Sequence, residues 1–535
     1  MASVMNEMDD QIIARQIQEL QEEAERAVKL SVHASNDTIH IDCQIPGEER
    51  PSTKITIGLQ ENERRKEQVM TAVGEILAQD HAKLHHFHLT WLDNENIGYP
   101  QFWRGLAANR ILKELYFRGV TFPDEPAATL FLTNLALESL NMTSCSISDG
   151  TFGSFCHAIQ SSRIKELKIH TNNRAAGIAW PLLWSALEHG ATRLESLRVD
   201  CTNGATRGFD NGFESFLTNN TNIQSLCLQG CHWNHDSLPF FVALGRGLIV
   251  NTSVKILKVP FHHRSEINPT IEEILIQTMF SEGLDQNMAV DSLTVKTKVS
   301  PETANALVDG LEQMTRNRAN AATRGGHDQE ESLPVLKEIG LLCNGRYGND
   351  DPTTDATRDL FFDRLSRSDV IRVEKVVFDL SLRRQMLSSK MYDFIRSTQV
   401  TKSLTLGRTR RRPIDNTFVD LADAMEANNS ISELKAGREE FNNTTTNLLS
   451  SPNKYRIRCQ LRRNEIQVHT LRKNENLSLL PLVLARLLSS EDRPTNEKER
   501  SEIEASLLVG RTIVFEMLKD IPALFAVYGK RKRDD

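Results

Sequence analysis

Cys227-x-x-x-Cys231-His232-x-x-His235, inside "IQSLCLQGCHWNH", is the arrangement in this chain that most resembles a metal-binding signature. A structural zinc ion needs four convergent thiolate or imidazole ligands, usually supplied as pairs from tight turns. The local pattern argues for divergence instead. Cys227 sits between Leu226 and Leu228 in an alternating run, and Cys231 falls three places beyond Leu228. Alternate strand residues point to opposite faces, so the two thiols should separate. His81, His85, His86 and His88 raise the same question. His86 and His88 flank Phe87 and share a face, where two imidazoles could meet a metal or a partner, but a pair lacks the remaining ligands. Cys145, in "LESLNMTSCSISD", could be a nucleophile, a ligand or a structural thiol. It too lies three residues past an apolar run, ending at Met142, which favours a small side chain tucked under a turn. The expectation is structural cysteines, no metal site and no cofactor.

Other chemistry is thinly represented. The sequence contains no G-x-x-x-x-G-K-[ST], H-E-x-x-H or G-x-S-x-G, and no G-x-G-x-x-G behind a strand. A non-enzymatic role is expected. The formal net charge of −7 gives no global attraction to nucleic acid or anionic membrane. Two basic runs stand out, "RTRRRP" (408–413) and Lys530 to Arg533. The second reads either as a nuclear import signal or as a solvated tail, and neither is interleaved with aromatics for stacking on nucleic acid bases. The opening "MASVMNEMDD" is acidic where a secretory signal is basic and then apolar. With eight dispersed cysteines, the chain reads as soluble, with reduced thiols, in the cytoplasm or the nucleus.

What positions these residues is a repeat. The pattern apolar-x-x-apolar-x-apolar begins at Leu84, Leu112, Leu137, Ile164, Leu194, Ile223, Val254 and Val290. Diverged copies begin at Leu336, Val373, Thr401 and Ile431. One such hexamer carries no information; twelve in near-regular phase do. Each fits a short strand, and a return of roughly 28 residues suits a crossover helix leading to the next parallel strand. The intervening segments are amphipathic at helical period. In "SPETANALVDGLEQM", Ser300 can cap and Pro301 can open a helix with Ala304, Leu307, Leu311 and Met314 on one stripe. Phe152, Phe155 and Ile159 form such a stripe after Cys145, and Phe418, Leu421, Ala422 and Met425 another.

These units resemble leucine-rich repeats of the ribonuclease-inhibitor type over about 80–475. The stretch "IRCQLRRNEI" followed by "LLPLVLARLL" is also similar to the C-terminal portion of leucine-rich-repeat proteins abundant in diatom-type algae. The resemblance implies an α/β solenoid of about 12 repeats over 81–475, with a curved parallel sheet on the concave side and helices on the convex side. One group of small-GTPase activators is built from similar repeats, which makes that activity the alternative function; Arg104 and Arg110 in "QFWRGLAANR" would be its candidate arginines.

A solenoid needs its ends capped. The segment 1–80 is expected to supply a helix over 5–30, with Ile13, Ile17, Leu20, Ala24 and Val28 in a stripe. That helix could dock, pair with a partner or stay free. A hairpin from "DTIHIDCQI" and "TKITIGL" follows, then a helix from about Glu61 presenting Val69, Val73, Ile76 and Leu77. The segment 476–535 is expected to form a helical cap with a basic tail. The stretch 315–334 shows no apolar period and reads as a mobile insertion.

The strand register selects a candidate site. Residues flanking the second apolar position of each strand should project from the concave face: His86 and His88, Glu114 and Tyr116, Ser139 and Asn141, Glu166 and Lys168, and Arg198, with Arg118 one step further on. This strip is polar and of mixed charge, with one aromatic anchor. It suits a protein partner rather than a small-molecule substrate, which wants an apolar pocket, or nucleic acid, which wants a continuous basic stripe. Interaction hot spots favour Tyr and Arg, which singles out Tyr116, Arg118 and Arg198. A scaffold or adaptor binding an unidentified protein is the expected function, with no membrane contact.

Overall fold

The computed structural model describes residues 2–35, 38–45, 53–58, 63–79, 84–91, 98–123, 126–133, 136–171, 180–190, 193–201, 210–229, 237–260, 269–297, 300–324, 335–343, 352–379, 388–406, 417–436 and 439–440, with positions 456, 457, 460, 461 and 464 beyond them. The chain divides into two compact units, Met1–Thr297 and Lys298–Asp535. The division falls inside the span that the sequence presents as one array.

The first unit is an α/β assembly in which short strands alternate with helices. Its strands are β1 (Lys29–Ala34), β2 (Thr38–Gln44), β3 (Thr53–Gly58), β4 (His86–Trp91), β5 (Glu114–Arg118), β6 (Ser139–Cys145), β7 (Glu166–Thr171), β8 (Ser196–Cys201), β9 (Ser225–Gln229), β10 (Ile256–Pro260) and β11 (Ser292–Thr297). From β4 to β11 they lie side by side in chain order and parallel. Their apolar positions form two continuous inner rows. Phe87, Leu115, Leu140, Leu167, Leu197, Leu226, Leu257 and Leu293 make one; Leu89, Phe117, Met142, Ile169, Val199, Leu228, Val259 and Val295 make the other. All sixteen are buried. Each such side chain contributes about 1.5–3 kcal/mol when fully withdrawn from water, so a one-residue slip in any strand would expose its whole inner set.

The returns between strands are α3 (Pro100–Ala108), a 3-10 helix at Pro126–Thr133, α4 (Asp149–Ser161), α5 (Trp180–His189), α6 (Phe213–Asn219), α7 (Leu238–Val250) and α8 (Pro269–Ser281). Each packs on the next, and their apolar stripes meet the inner rows. Phe102 and Trp103 of α3 lie 6.0 Å from the rings of Phe87 and Phe117 respectively. Ser148 caps α4 by accepting from the Thr151 N–H, and Phe152, Phe155 and Ile159 are buried as the stripe requires. The approach of α2 (Glu63–Ala78) to α3 depends on glycine: a Cβ on Gly105 would stand 1.9 Å from the Gly74 carbonyl oxygen.

The amino-terminal segment departs from the sequence reading. The first helix, α1 (Ala2–Ala24), stops before Val28, and "KLSVHA" is a strand, β1, rather than the end of a helix to residue 30. β1 pairs in parallel with β4, and the expected β2–β3 hairpin then extends the sheet antiparallel from β1. Helix α1 docks: Ile13, Leu20 and Ala24 are buried, and the Gln16 side chain donates to the Thr56 carbonyl of β3 at 3.2 Å. The expected face of α2, Val69, Val73, Ile76 and Leu77, is buried.

The second unit repeats the plan with α9 (Pro301–Arg324), β12 (Val335–Cys343), α10 (Pro352–Arg367), β13 (Arg372–Asp379), α11 (Ser389–Ser397), β14 (Ser403–Leu406), α12 (Thr417–Glu426), β15 (Glu433–Ala436) and the short β16 (Glu439–Glu440). β12 to β15 are parallel in chain order. Ser300 caps α9 through the Thr303 N–H at 3.2 Å, and Ala304, Leu307, Leu311 and Met314 are buried as a stripe. The expected insertion at 315–334 is corrected in its first half, because α9 continues to Arg324 with Thr315 and Arg318 buried; 325–334 lies outside the described residues. So do both basic runs and the helical cap expected over 476–535. Each unit is compatible with a repeat, solenoid-like arrangement, and no described helix is long and apolar enough to cross a membrane.

Buried asparagines tie successive repeats together. Asn287 donates to the carbonyls of Leu248 at 2.6 Å and Asn251 at 2.9 Å, and its Oδ1 accepts the N–H groups of Ala289 and Val290 at 2.8 and 2.7 Å. Asn109, Asn220, Asn251 and Asn428 do the same between their own neighbours. Each stands three residues before the first apolar residue of the next repeat, Leu112, Ile223, Val254, Val290 or Ile431, where the chain turns out of a helix and the orphan carbonyls of the preceding repeat need donors. In the second unit Asn464 extends the series by donating to the carbonyls of Asn428 and Ile431.

Candidate functional site

Strand alternation that buries the two apolar rows turns the alternate residues of β4 to β11 to the opposite, outward face. The register places them in rows. His86, Glu114, Ser139, Glu166, Ser196, Ser225, Ile256 and Ser292 stand at the strand entries. His88, Tyr116, Asn141, Lys168, Arg198, Cys227, Lys258 and Thr294 form the middle row. Arg118, Thr143, His170 and Asp200 continue a third row from Thr90. All ten candidate residues therefore lie on one face, at strand spacings of about 4.8 Å. Glu114, Arg118, Glu166 and Lys258 are exposed; His86, His88, Tyr116, Ser139, Asn141, Lys168 and Arg198 are half-buried; Thr294 is buried.

Contacts within the face organise it from one end. His86 Nδ1 and Glu114 Oε2 are 2.8 Å apart, and the rings of His88 and Tyr116 pack with centroids 5.2 Å apart. Burial, together with the Lys29 ammonium and His86, depresses His88 to about 4, so its imidazole is neutral at physiological pH. The Thr143 hydroxyl donates to Asn141 Oδ1 at 3.0 Å. At the lip before the strands, Lys113, Glu138, Lys165, Glu195, Lys255 and Asp291 follow one another in backbone hydrogen bonding, with Gln224 between Glu195 and Lys255. Lys165 Nζ lies 2.9 Å from Glu138 Oε2 and, by donating to it, lowers the Glu138 pKa. This lip neutralises itself.

Residues that sequence reasoning missed extend the face. β1 adds Lys29, Ser31 and His33 in register with His86, His88 and Thr90, and β2 adds His40 opposite His33. His40 Nδ1 is 2.9 Å from Thr56 Oγ1 of β3. The alternation in "KLSVHA" was the available signal, hidden by its continuity with the stripe of α1.

Cys227 is half-buried in the middle row of the outward face, whereas Cys231, His232 and His235 lie outside the described residues, as does His81. Among the described residues no three His, Cys, Asp or Glu side chains converge as a metal site. Cys145 is buried under the bulge at the end of β6, next to Ser144 at φ 56°, with Sγ 3.5 Å from the Phe117 carbonyl and 3.6 Å from that of Thr143. Burial pushes its thiol up to about 12, which removes it as a nucleophile. Arg104 is exposed on α3, and Arg110 follows that helix, so neither belongs to the outward rows.

No family model matches the chain, and no curated protein matches it. The chemistry of the outward face is what a functional reading has to stand on. It offers polar groups on a lattice of parallel strands, with a His88–Tyr116 pair, Arg118 beside it and Arg198 three strands on, and His88 is held as a neutral ring.

Proposed function

We propose that this chain is a leucine-rich-repeat solenoid of the ribonuclease-inhibitor type and acts as a non-catalytic scaffold or adaptor, holding a protein partner on the outward sheet face. The observation that carries the reading is the registration of His86, His88, Glu114, Tyr116, Arg118, Ser139, Asn141, Glu166, Lys168 and Arg198 in parallel rows on one face. A surface of mixed charge built on rigid strands gains specificity from many polar contacts, each fixed before binding, and loses little ordering entropy on association. Tyr116 and Arg118 are the anchors: Tyr116 is half-buried against His88, and Arg118 projects from the strand exit.

The test is affinity capture of partners by the full chain and by a Tyr116→Ala/Arg118→Ala variant. The variant should lose its principal partner while its thermal melting stays within a degree or two of the parent. Retention of every partner at parental yield would remove the sheet face from the account.

A further inference from the structure

The outward face is not uniform across its rows, and the difference specifies the partner's charge. From β4 to β11 the entry row contains two carboxylates, Glu114 and Glu166, and no lysine or arginine. The middle and exit rows contain Arg118, Lys168, Arg198, Lys258 and Lys296 against a single acid, Asp200. The lip beside the entry row alternates in sign and cancels. Five cations to one anion is a local excess of opposite sign to the whole chain, whose net charge is −7. His88, neutral at physiological pH, does not alter that balance.

We propose that the partner engages this face through an acidic segment laid across the strands, its carboxylates following the middle and exit rows from Arg118 to Lys258. This rests on the reading of the sheet face as the interaction surface. Strand spacing puts the β5 and β10 ends of the cationic path about 24 Å apart, the reach of about seven residues of extended peptide. Exposed Arg118 and Lys258 mark the two ends, and Lys168 and Arg198 stand on adjacent strands between them. The carboxylates of the entry row repel a segment that strays toward the lip, which fixes its lateral position as well as its charge. The cations are separated by uncharged positions such as Asn141 and Cys227 and are not backed by aromatic platforms beyond Tyr116, which favours spaced side-chain carboxylates over a continuous phosphodiester.

The experiment measures binding of a fluorescein-labelled peptide of about ten alternating Glu and Ser residues to the full-length chain by anisotropy. A Lys/Ser peptide and a single-stranded oligonucleotide of matched charge serve as comparisons. The Glu/Ser peptide should bind, should weaken about tenfold or more between low and high salt because the contacts are exposed, and should lose at least tenfold on Arg118→Glu/Lys258→Glu. Arg104→Glu on α3, also exposed, should leave it unchanged. Equal binding of the Lys/Ser peptide, absence of peptide binding, or indifference to the double charge reversal in a protein that melts normally would overturn the proposal. Tighter binding of the oligonucleotide than of the peptide would overturn it in favour of a nucleic acid. If the peptide fails while Tyr116→Ala/Arg118→Ala still loses its captured partner, the acidic class is refuted and the face stands; if both fail, the face falls too.

Discussion

Replacing Asn287 with alanine tests how the repeats are held together. The side chain is fully buried and makes four hydrogen bonds, two as donor to the carbonyls of Leu248 and Asn251 and two as acceptor from Ala289 and Val290. Each intramolecular bond contributes about 1 kcal/mol net, and a buried group left without a partner costs about 1–3 kcal/mol. Alanine strands two carbonyls and two N–H groups in a buried site, so the loss is at least about 4 kcal/mol. Asn287→Asp retains the acceptors but sets a carboxylate against two carbonyl oxygens, and should cost more than alanine at neutral pH. Urea denaturation of the full chain gives the stability. Hydrogen exchange reports whether protection is lost first at Ala289 and Val290, as expected if the damage starts at the junction of two repeats. Asn222→Ala is the control: only its backbone N–H enters the network, and it should change stability by less than about 0.5 kcal/mol. An Asn287→Ala protein as stable as the parent, with normal protection at those amides, would refute the claim that these asparagines join the repeats.

Other expectations follow from the same geometry. Cys145→Ala should cost about 1 kcal/mol through lost packing and leave partner capture unchanged; in the native chain its thiol should resist alkylation at pH 8, since burial holds it near 12. The His88 ring should titrate near pH 4 by NMR. Because the unfolded chain protonates that imidazole near its ordinary value of 6.5 and the folded chain does not, the His88 contribution favours unfolding progressively as pH falls from about 6.5 to about 4. His88→Asn should reduce that slope. A panel of small GTPases should show no accelerated hydrolysis with the chain added, and a rate increase abolished by Arg104→Ala or Arg110→Ala would instead support the activator alternative.

The parallel sheet was legible because burial imposes a two-residue period on each strand and the return helix imposes a near-constant length; Leu115, Leu140, Leu167 and Leu197 could be aligned by eye and are neighbours in space. The outward residues followed by parity. β1 was not legible, since Ala24 and Val28 continue a helical spacing and no glycine or proline marks the break before Lys29. Its parallel pairing with β4 is a tertiary choice that no local pattern encodes. The end of α9 was misread for a different reason: "TRNRANAATR" lacks large apolar residues, yet alanine and arginine are good helix formers, and Thr315 satisfies its hydroxyl on the Leu311 carbonyl at 2.8 Å. The asparagine series had a signal, Asn-x-x-apolar before Leu112, Ile223, Val254, Val290 and Ile431, but an asparagine in a turn is commonplace until the repeat phase is imposed. The separation of acidic and basic rows needed the register itself, because it is a property of columns across strands and not of any one strand.

The central claim is that a protein partner sits on the outward sheet face. Photo-crosslinking tests it most directly, with a benzoylphenylalanine placed in turn at Tyr116 and at Arg198 on the face, and at exposed His157 on α4. The account predicts that both face positions capture the same protein and His157 does not. Capture from His157 with silence at Tyr116 and Arg198 would contradict it.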